Sequence, residues 1–308
     1  MPLEKPHDKF FKETFSRFDV LTDFIQVFLP SEIVQKFHFD SLVRESDSYL
    51  DSQLSEYFVD LLFSINYGSQ QIQIALLLEH KSYIEDFPHF QLNQYLLNYW
   101  TTQIKAKHPL IPVIPIIVYH GERRWKKQPV INYFGKLDNT LAAFVPSFDY
   151  VLIDLNTIND QRLSAFKTDY ARLTALLLQN SRHQQRLLRI FKRFNQVFDH
   201  LTQDSVGRAF IETTFIYVYW TTNLTKDQVV TIFRKISIQT GAVAMTTAER
   251  LINEGLEKGI EQGVELATVR AIKSMLKLNM DAKTIAAALD IPLTNVNDLI
   301  QKIKSGLV

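Results

Sequence analysis

Apolar residues recur at helical spacing near the N-terminus. Phe10, Phe11, Phe15, Phe18, Leu21, Phe24, Ile25 and Phe28 predict a helix over 9–29. Pro30 ends it, and Ser31 suits the N-cap of a short helix beyond. Residues 40–50 read as a first, weaker strand. Two strongly apolar, β-favouring runs follow, 57–66 (YFVDLLFSIN) and 71–81 (QIQIALLLEHK), separated by the turn signal Tyr67-Gly68-Ser69-Gln70. The pattern then changes to an amphipathic helix over 87–107, with Phe90, Tyr95, Leu97, Tyr99 and Ile104 among its apolar positions, closed by Pro109. Val113 to Tyr119 (VIPIIVY) reads as a fully buried strand, and 150–155 as one more. The order α-β-β-β-α-β predicts an α/β (α+β) fold with a mixed sheet flanked by helices.

Beyond residue 159 the pattern is helical: 164–179, 182–198, 206–219 and 226–236 are separable candidates. Residues 239–247 are small and polar, include Gly241, and read as a linker. Gly255, Gly259 and Gly263 then recur every fourth residue beside Ile252, Leu256, Ile260 and Val264, a spacing suited to close helix–helix contact. Packing within the chain and a homodimer both satisfy that pattern. Residues 281–289 and 294–303, joined by Asp290-Ile291-Pro292-Leu293, resemble a small helix-turn-helix unit. The expected organisation is a core over 1–158, a helical extension over 159–240 and a helical tail over 241–308.

Composition narrows the classes. A chain of 308 residues with 46% hydrophobic residues buries a substantial core, and a net charge of +1 leaves phosphate attraction to local patches. Without cysteine there is no disulfide, thiolate or cysteine–zinc chemistry, which fits a reducing cytoplasm. The N-terminal residues have no apolar core for a secretory signal, and no run is long and apolar enough for a membrane helix. A cytoplasmic protein with no membrane partner is expected.

The chemistry concentrates on the hairpin. If the Gly68 turn closes it simply, facing residues have numbers summing to about 139, and Asp60 lies opposite Glu79 on the same face. Lys81, two residues on, shares that face. Taken singly, each charge reads as a solvated strand end. Taken together, three charges interrupting apolar strands call for compensation, because a buried carboxylate beside another needs a cation. Hard oxygen ligands such as Asp60 and Glu79 suit Mg²⁺, with Mn²⁺ or Ca²⁺ as alternatives, and Lys81 can orient water or neutralise phosphate charge.

With these residues placed, the chain resembles the PD-(D/E)xK nuclease superfamily, and within it the recombination-promoting nuclease, or transposase-like, branch of bacteria. The resemblance rests on Pro6-His7-Asp8 with Phe10-Phe11-Lys12, on 57–63 (YFVDLLF), on Leu78-Glu79-His80-Lys81-Ser82, and on 114–121 (IPIIVYHG). It covers most of the chain, and Val59 stands where the superfamily's name places proline. It implies a restriction-endonuclease-like core and metal-dependent DNA cleavage, promoting recombination or serving mobile-element or defence activity. It also implies roles for Gln91 and Tyr95, which form a Q-x-x-x-Y pair on one helix face. Asp8 either caps the first helix or adds a metal ligand.

Outside the hairpin, 122–127 (ERRWKK) places Arg123, Arg124, Lys126 and Lys127 around an indole. Such a loop can grip DNA phosphates while Trp125 stacks on a base. The basic helix expected over 182–193 is a second such surface. A rival from another class is a nuclease-derived DNA-binding or assembly protein acting through its helical tail.

Overall fold

The computed structural model describes residues 6–45, 61–69 and 72–305. The chain divides into two compact units, Met1–Ala244 and Met245–Val308.

A five-stranded sheet forms the centre of the first unit. Strands β1 (Phe37–Arg44), β2 (Leu61–Tyr67), β3 (Ile72–Lys81), β4 (Val113–Tyr119) and β5 (Val151–Asp154) lie side by side in chain order. The first three form an antiparallel meander, and β4 and β5 join parallel to β3. A parallel neighbour needs a crossover, and the helix Pro88–Lys105 provides it between β3 and β4. β2 and β3 pair in the register the Gly68 turn predicts, from Leu61 opposite Leu78 to Tyr67 opposite Ile72. β1 begins three residues earlier than the pattern suggested. Its register on β2 shifts between His38 and Val43, where the Ser41 hydroxyl accepts the Asn66 N–H. The fold is mixed α/β, and the element order α-β-β-β-α-β is present.

The helix expected over 9–29 is two helices, α1 (Pro6–Phe15) and α2 (Phe18–Phe28). Thr14 and Ser16 turn their hydroxyls back onto the carbonyls of Phe10 and Lys12, a local bond that competes with helix continuation. Arg17 is extended there and ion-pairs with Asp19. The break lets Phe10, Phe11 and Phe15 and then Val20, Leu21, Phe24 and Ile25 all enter the core. The following turn α3 (Ser31–Val34) is entered from Pro30 without a side-chain cap, so Ser31 is its first residue and not its N-cap.

In α4 (Pro88–Lys105) the buried stripe is Leu92, Tyr95, Leu96, Tyr99 and Gln103, whereas Phe90, Leu97 and Ile104 are exposed. Further on come α5 (Asn139–Ala142), α6 (Asp160–Ala165), α7 (Asp169–Asn180), α8 (Gln184–Arg193), α9 (Asn195–Leu201), α10 (Ser205–Thr221) and α11 (Lys226–Arg234). The helix expected over 182–198 is divided at Phe194 between α8 and α9.

The expected linker at 239–247 is instead the start of α12 (Ile238–Lys277), a helix of 40 residues. Its small residues serve packing: Thr240 and Ala244 are buried, and a Cβ on Gly241 would lie 2.4 Å from the Arg234 side chain. In the second unit, the end of α12 packs with α13 (Ala282–Leu289) and α14 (Leu293–Lys304) around Ile272, Ile285 and Val296. The helix pair expected there is present, with Asp281 capping α13 through the Thr284 N–H.

Helix α10 packs along α1, so its position bears on the site described below. Its first turn presses on α9: a Cβ on Gly207 would come within 2.1 Å of the Leu201 carbonyl oxygen. Gly207→Ala is therefore expected to destabilise the first unit by about 1–3 kcal/mol, the usual cost of overpacking. Urea unfolding followed by tryptophan fluorescence checks this, since Trp100, Trp125 and Trp220 all lie in that unit. An unchanged midpoint would contradict the close approach.

Candidate active site

Alternation along β3 divides its last three residues. Glu79 and Lys81 point to the α4 side, and His80 to the side of α1. All three are buried. The Lys81 ammonium lies 3.0 Å from Glu79 Oε1, both side chains being 7% exposed. Burial pushes the Glu79 carboxyl above its usual range, with Lys81 pulling against that shift and the charge of Asp8 adding to it. Burial works to lower Lys81 too, but its carboxylate partner prevails and holds the ammonium charged above the ordinary lysine range. Glu79 Oε2 is buried and has no hydrogen-bond partner among the described residues.

Gln91 and Tyr95, one turn apart on α4, reach the same point. The Gln91 amide donates to Glu79 Oε1 at 3.3 Å and to the Tyr95 hydroxyl at 3.0 Å. Tyr95 is fixed by its ring, which belongs to a cluster with Leu62, Leu92, Tyr99, Ile117 and Tyr119. Glu79, Lys81, Gln91 and Tyr95 are thus brought together. Asp60 lies outside the described residues; it directly precedes Leu61, whose partner Leu78 directly precedes Glu79. Asp8 is not a helix cap. It sits inside the first turn of α1, and its carboxylate accepts from His80 Nδ1 at 3.2 Å.

That contact leads to a group the sequence reasoning missed. His7 from α1, His80 from β3 and His120, the residue after β4, each place a ring nitrogen within 4.8 Å of the other two. The signal was available: each belongs to a segment on which the family resemblance rests. Only topology shows that the three segments end at one place.

The basic loop is less uniform than its composition suggests. Arg123, Arg124 and Lys126 are exposed. Lys127 instead donates to the Tyr150 carbonyl at 2.6 Å and ion-pairs with Asp149. Trp125 does not present its indole for base stacking. It is buried edge-on against Tyr119 at 5.1 Å, and the Trp125 backbone N–H donates to the Asp154 carboxylate. In α8, Arg186 and Arg189 are exposed opposite buried Leu187, Ile190 and Phe191. On α12, Ile252, Leu256, Ile260 and Val264 are exposed, and nothing lies within 4 Å of a Cβ placed on Gly255, Gly259 or Gly263. No helix among the described residues is long and apolar enough to cross a membrane.

Residues 5–208 match the family described as "Putative transposase, YhgA-like", and the chain belongs to that family. Among its curated relatives is the inactive recombination-promoting nuclease-like protein RpnE of Escherichia coli (strain K12). The two are 23% identical over 289 residues, spanning 92% of this chain and 93% of the relative. Recombination-promoting nuclease RpnA of the same strain is 25% identical over 275 residues, 86% of this chain and 92% of the relative. Recombination-promoting nuclease RpnD of Escherichia coli O157:H7 is 28% identical over 160 residues, 51% of this chain and 62% of the relative. No solved structure matches the chain.

Removing one member of a buried pair leaves the other uncompensated. Lys81→Met is expected to lower stability at neutral pH by roughly 3 kcal/mol. A carboxyl whose folded pKa lies above its unfolded value destabilises only while it is charged, so the deficit shrinks as pH falls through the folded pKa. Urea titrations of both proteins at neutral pH and near about pH 5 measure this. A deficit that grows on acidification would contradict the burial of Glu79.

Proposed function

We propose that this protein is a divalent-metal-dependent DNA endonuclease with a restriction-endonuclease-like core. The observation that carries the proposal is the buried Glu79–Lys81 pair, bracketed by Gln91 and Tyr95 and leaving Glu79 Oε2 without a partner among the described residues. A buried anionic oxygen with no donor is costly unless a cation meets it. The donor set fits a hard metal: carboxylate oxygens from Glu79 and from Asp60 would hold Mg²⁺, or Mn²⁺ or Ca²⁺ in its place, and Asp8 would join them only if its bond to His80 opens. Such an ion polarises the scissile phosphate and makes bound water more acidic.

The chain's own residues would do the rest. Lys81 supplies a fixed positive charge for the phosphate and for the attacking water. Gln91, held by Tyr95, fixes the orientation of the Glu79 carboxylate. Arg123, Arg124 and Lys126 offer phosphate contacts outside the site, with Lys127 joining them if its pairing with Asp149 opens. Membership of the family, with relatives named recombination-promoting nucleases, supports DNA breakage in recombination or mobile-element activity; defence and a cytoplasmic location are further parts of the same proposal.

A relative that matches 92% of the chain is named inactive, which favours keeping a second reading: a nuclease-derived DNA-binding or assembly protein acting through its tail. The exposed α12 stripe with its open glycines would then serve a homodimer. For that arm, Leu256→Glu with Ile260→Glu in the full chain is expected to halve the mass seen by light scattering, and an unchanged mass would remove the dimer.

Nicking of supercoiled plasmid separates the two functions. The wild type is expected to nick with Mg²⁺ or Mn²⁺ and to stop on chelation. Asp60→Ala and Lys81→Ala should each lower the rate on the order of a hundredfold or more, as for the loss of a fixed charge-stabilising group. Equal nicking by all three proteins would remove the site assignment, and DNA binding without nicking would favour the second reading.

A further inference from the structure

Across β3 from the carboxylate site, His7, His80 and His120 gather their rings at the junction of three elements distant in sequence. His80 Nε2 and His120 Nε2 approach to 2.5 Å. The ring centroids of His7 and His120 lie 4.7 Å apart, and those of His80 and His120 lie 4.6 Å apart with the ring planes inclined by 23°. A packed aromatic core would not turn ring nitrogens toward one another, since facing lone pairs repel unless a proton or a metal lies between them.

We propose that these three histidines form a binding site for a late first-row transition-metal dication, of the Zn²⁺ or Co²⁺ class, distinct from the hard-metal carboxylate site on the opposite face of the strand.

Three independent features support it. First, the donor set is all imidazole, which suits borderline metals and not Mg²⁺ or Ca²⁺. Second, the outer partners are those that orient metal-binding imidazoles. His80 Nδ1 faces the Asp8 carboxylate at 3.2 Å, leaving its Nε2 for a metal, and His7 Nδ1 faces the Tyr217 hydroxyl at 3.0 Å. Third, His120 Nδ1 is buried without a hydrogen-bond partner among the described residues. The charge state agrees. Burial, then the neighbouring His80, then Arg182 hold His7 down to about 4, and burial with His80 and His7 holds His120 well below the ordinary range.

Arg182 adds positive potential that works against a cation, and Asp8 supplies the opposing carboxylate. Tetrahedral coordination with metal–nitrogen bonds of about 2.0–2.1 Å separates ligand nitrogens by roughly 3.3 Å. On that scale the closest pair opens, and the widest closes, by on the order of 1 Å. As the ion takes the place of the proton between His80 and His120, that proton passes to His120 Nδ1, so each ring remains a neutral ligand. Because His7 belongs to α1, His80 to β3 and His120 follows β4, one ion would tie the N-terminal helix, with Asp8 on it, to two strand ends.

The test uses the full-length protein, stripped with chelator, desalted and titrated with Co²⁺ in excess Mg²⁺. One equivalent of Co²⁺ should bind with intense visible bands of a four-coordinate ion, and Zn²⁺ should displace it. His120→Ala and His7→Ala should abolish those bands, Tyr217→Phe should weaken binding about tenfold, and Glu79→Gln should leave binding intact. Circular dichroism identifies a variant that has not folded, and in that event the wild-type titration decides alone. Wild type showing no bands in excess Mg²⁺, or bands lost in Glu79→Gln but kept in folded His120→Ala, would overturn the site. Loss of plasmid nicking in Glu79→Gln with Co²⁺ binding unchanged separates this inference from the nuclease reading.

Discussion

A carboxylate and an ammonium both withdrawn from water constrain everything around them. Each alone would carry several kcal/mol of desolvation cost, and their attraction offsets it only at close range with the remaining polar atoms bonded. Glu79 and Lys81 meet the first condition at 3.0 Å and the second in part, through the Gln91 amide on Oε1. Placement of α4 follows from this requirement: Gln91 reaches the pair only because Tyr95 and Tyr99, one and two turns on, are buried in the cluster under the sheet. Glu79 Oε2 is the part that packing among the described residues does not satisfy. Such sites store stability as function, and an incoming cation is the simplest group that completes this one.

The end of β3 therefore divides the molecule by chemistry. On one face are the Glu79 carboxylate and the Lys81 ammonium, on the other the imidazoles of His80 and His7 bonded to Asp8 and Tyr217. Asp8 belongs to both settings, bonded to His80 and raising the Glu79 carboxyl through its charge. This makes the position of α1 a shared condition, and α10, seated by Gly207 against α9, supports α1 from outside.

Much of this was legible in the sequence. The Gly68 turn between two apolar runs fixes the β2–β3 register, and a one-residue slip would exchange the faces of every side chain on the strand. The i, i+4 spacing of Gln91 and Tyr95 places both on one helix face, and both arrive at Glu79. What escaped was set by tertiary packing. Ser16 and Arg17 carry no Pro or Gly to announce the break between α1 and α2. Small polar residues at 239–247 resembled a linker because close helix packing and flexibility select the same residues. The Trp125 indole sits in a basic loop, yet Tyr119 draws it inward. The histidine cluster needs three segments to converge, which periodicity cannot report.

Crystals of the full-length protein soaked in Mn²⁺, with data collected at the manganese absorption edge, test the central claim most directly. The account predicts an anomalous peak on the α4 side of β3, bonded to a carboxylate oxygen of Glu79, with Lys81 remaining beside the same carboxylate. No peak there, or manganese found only at the histidines on the other face, would contradict it.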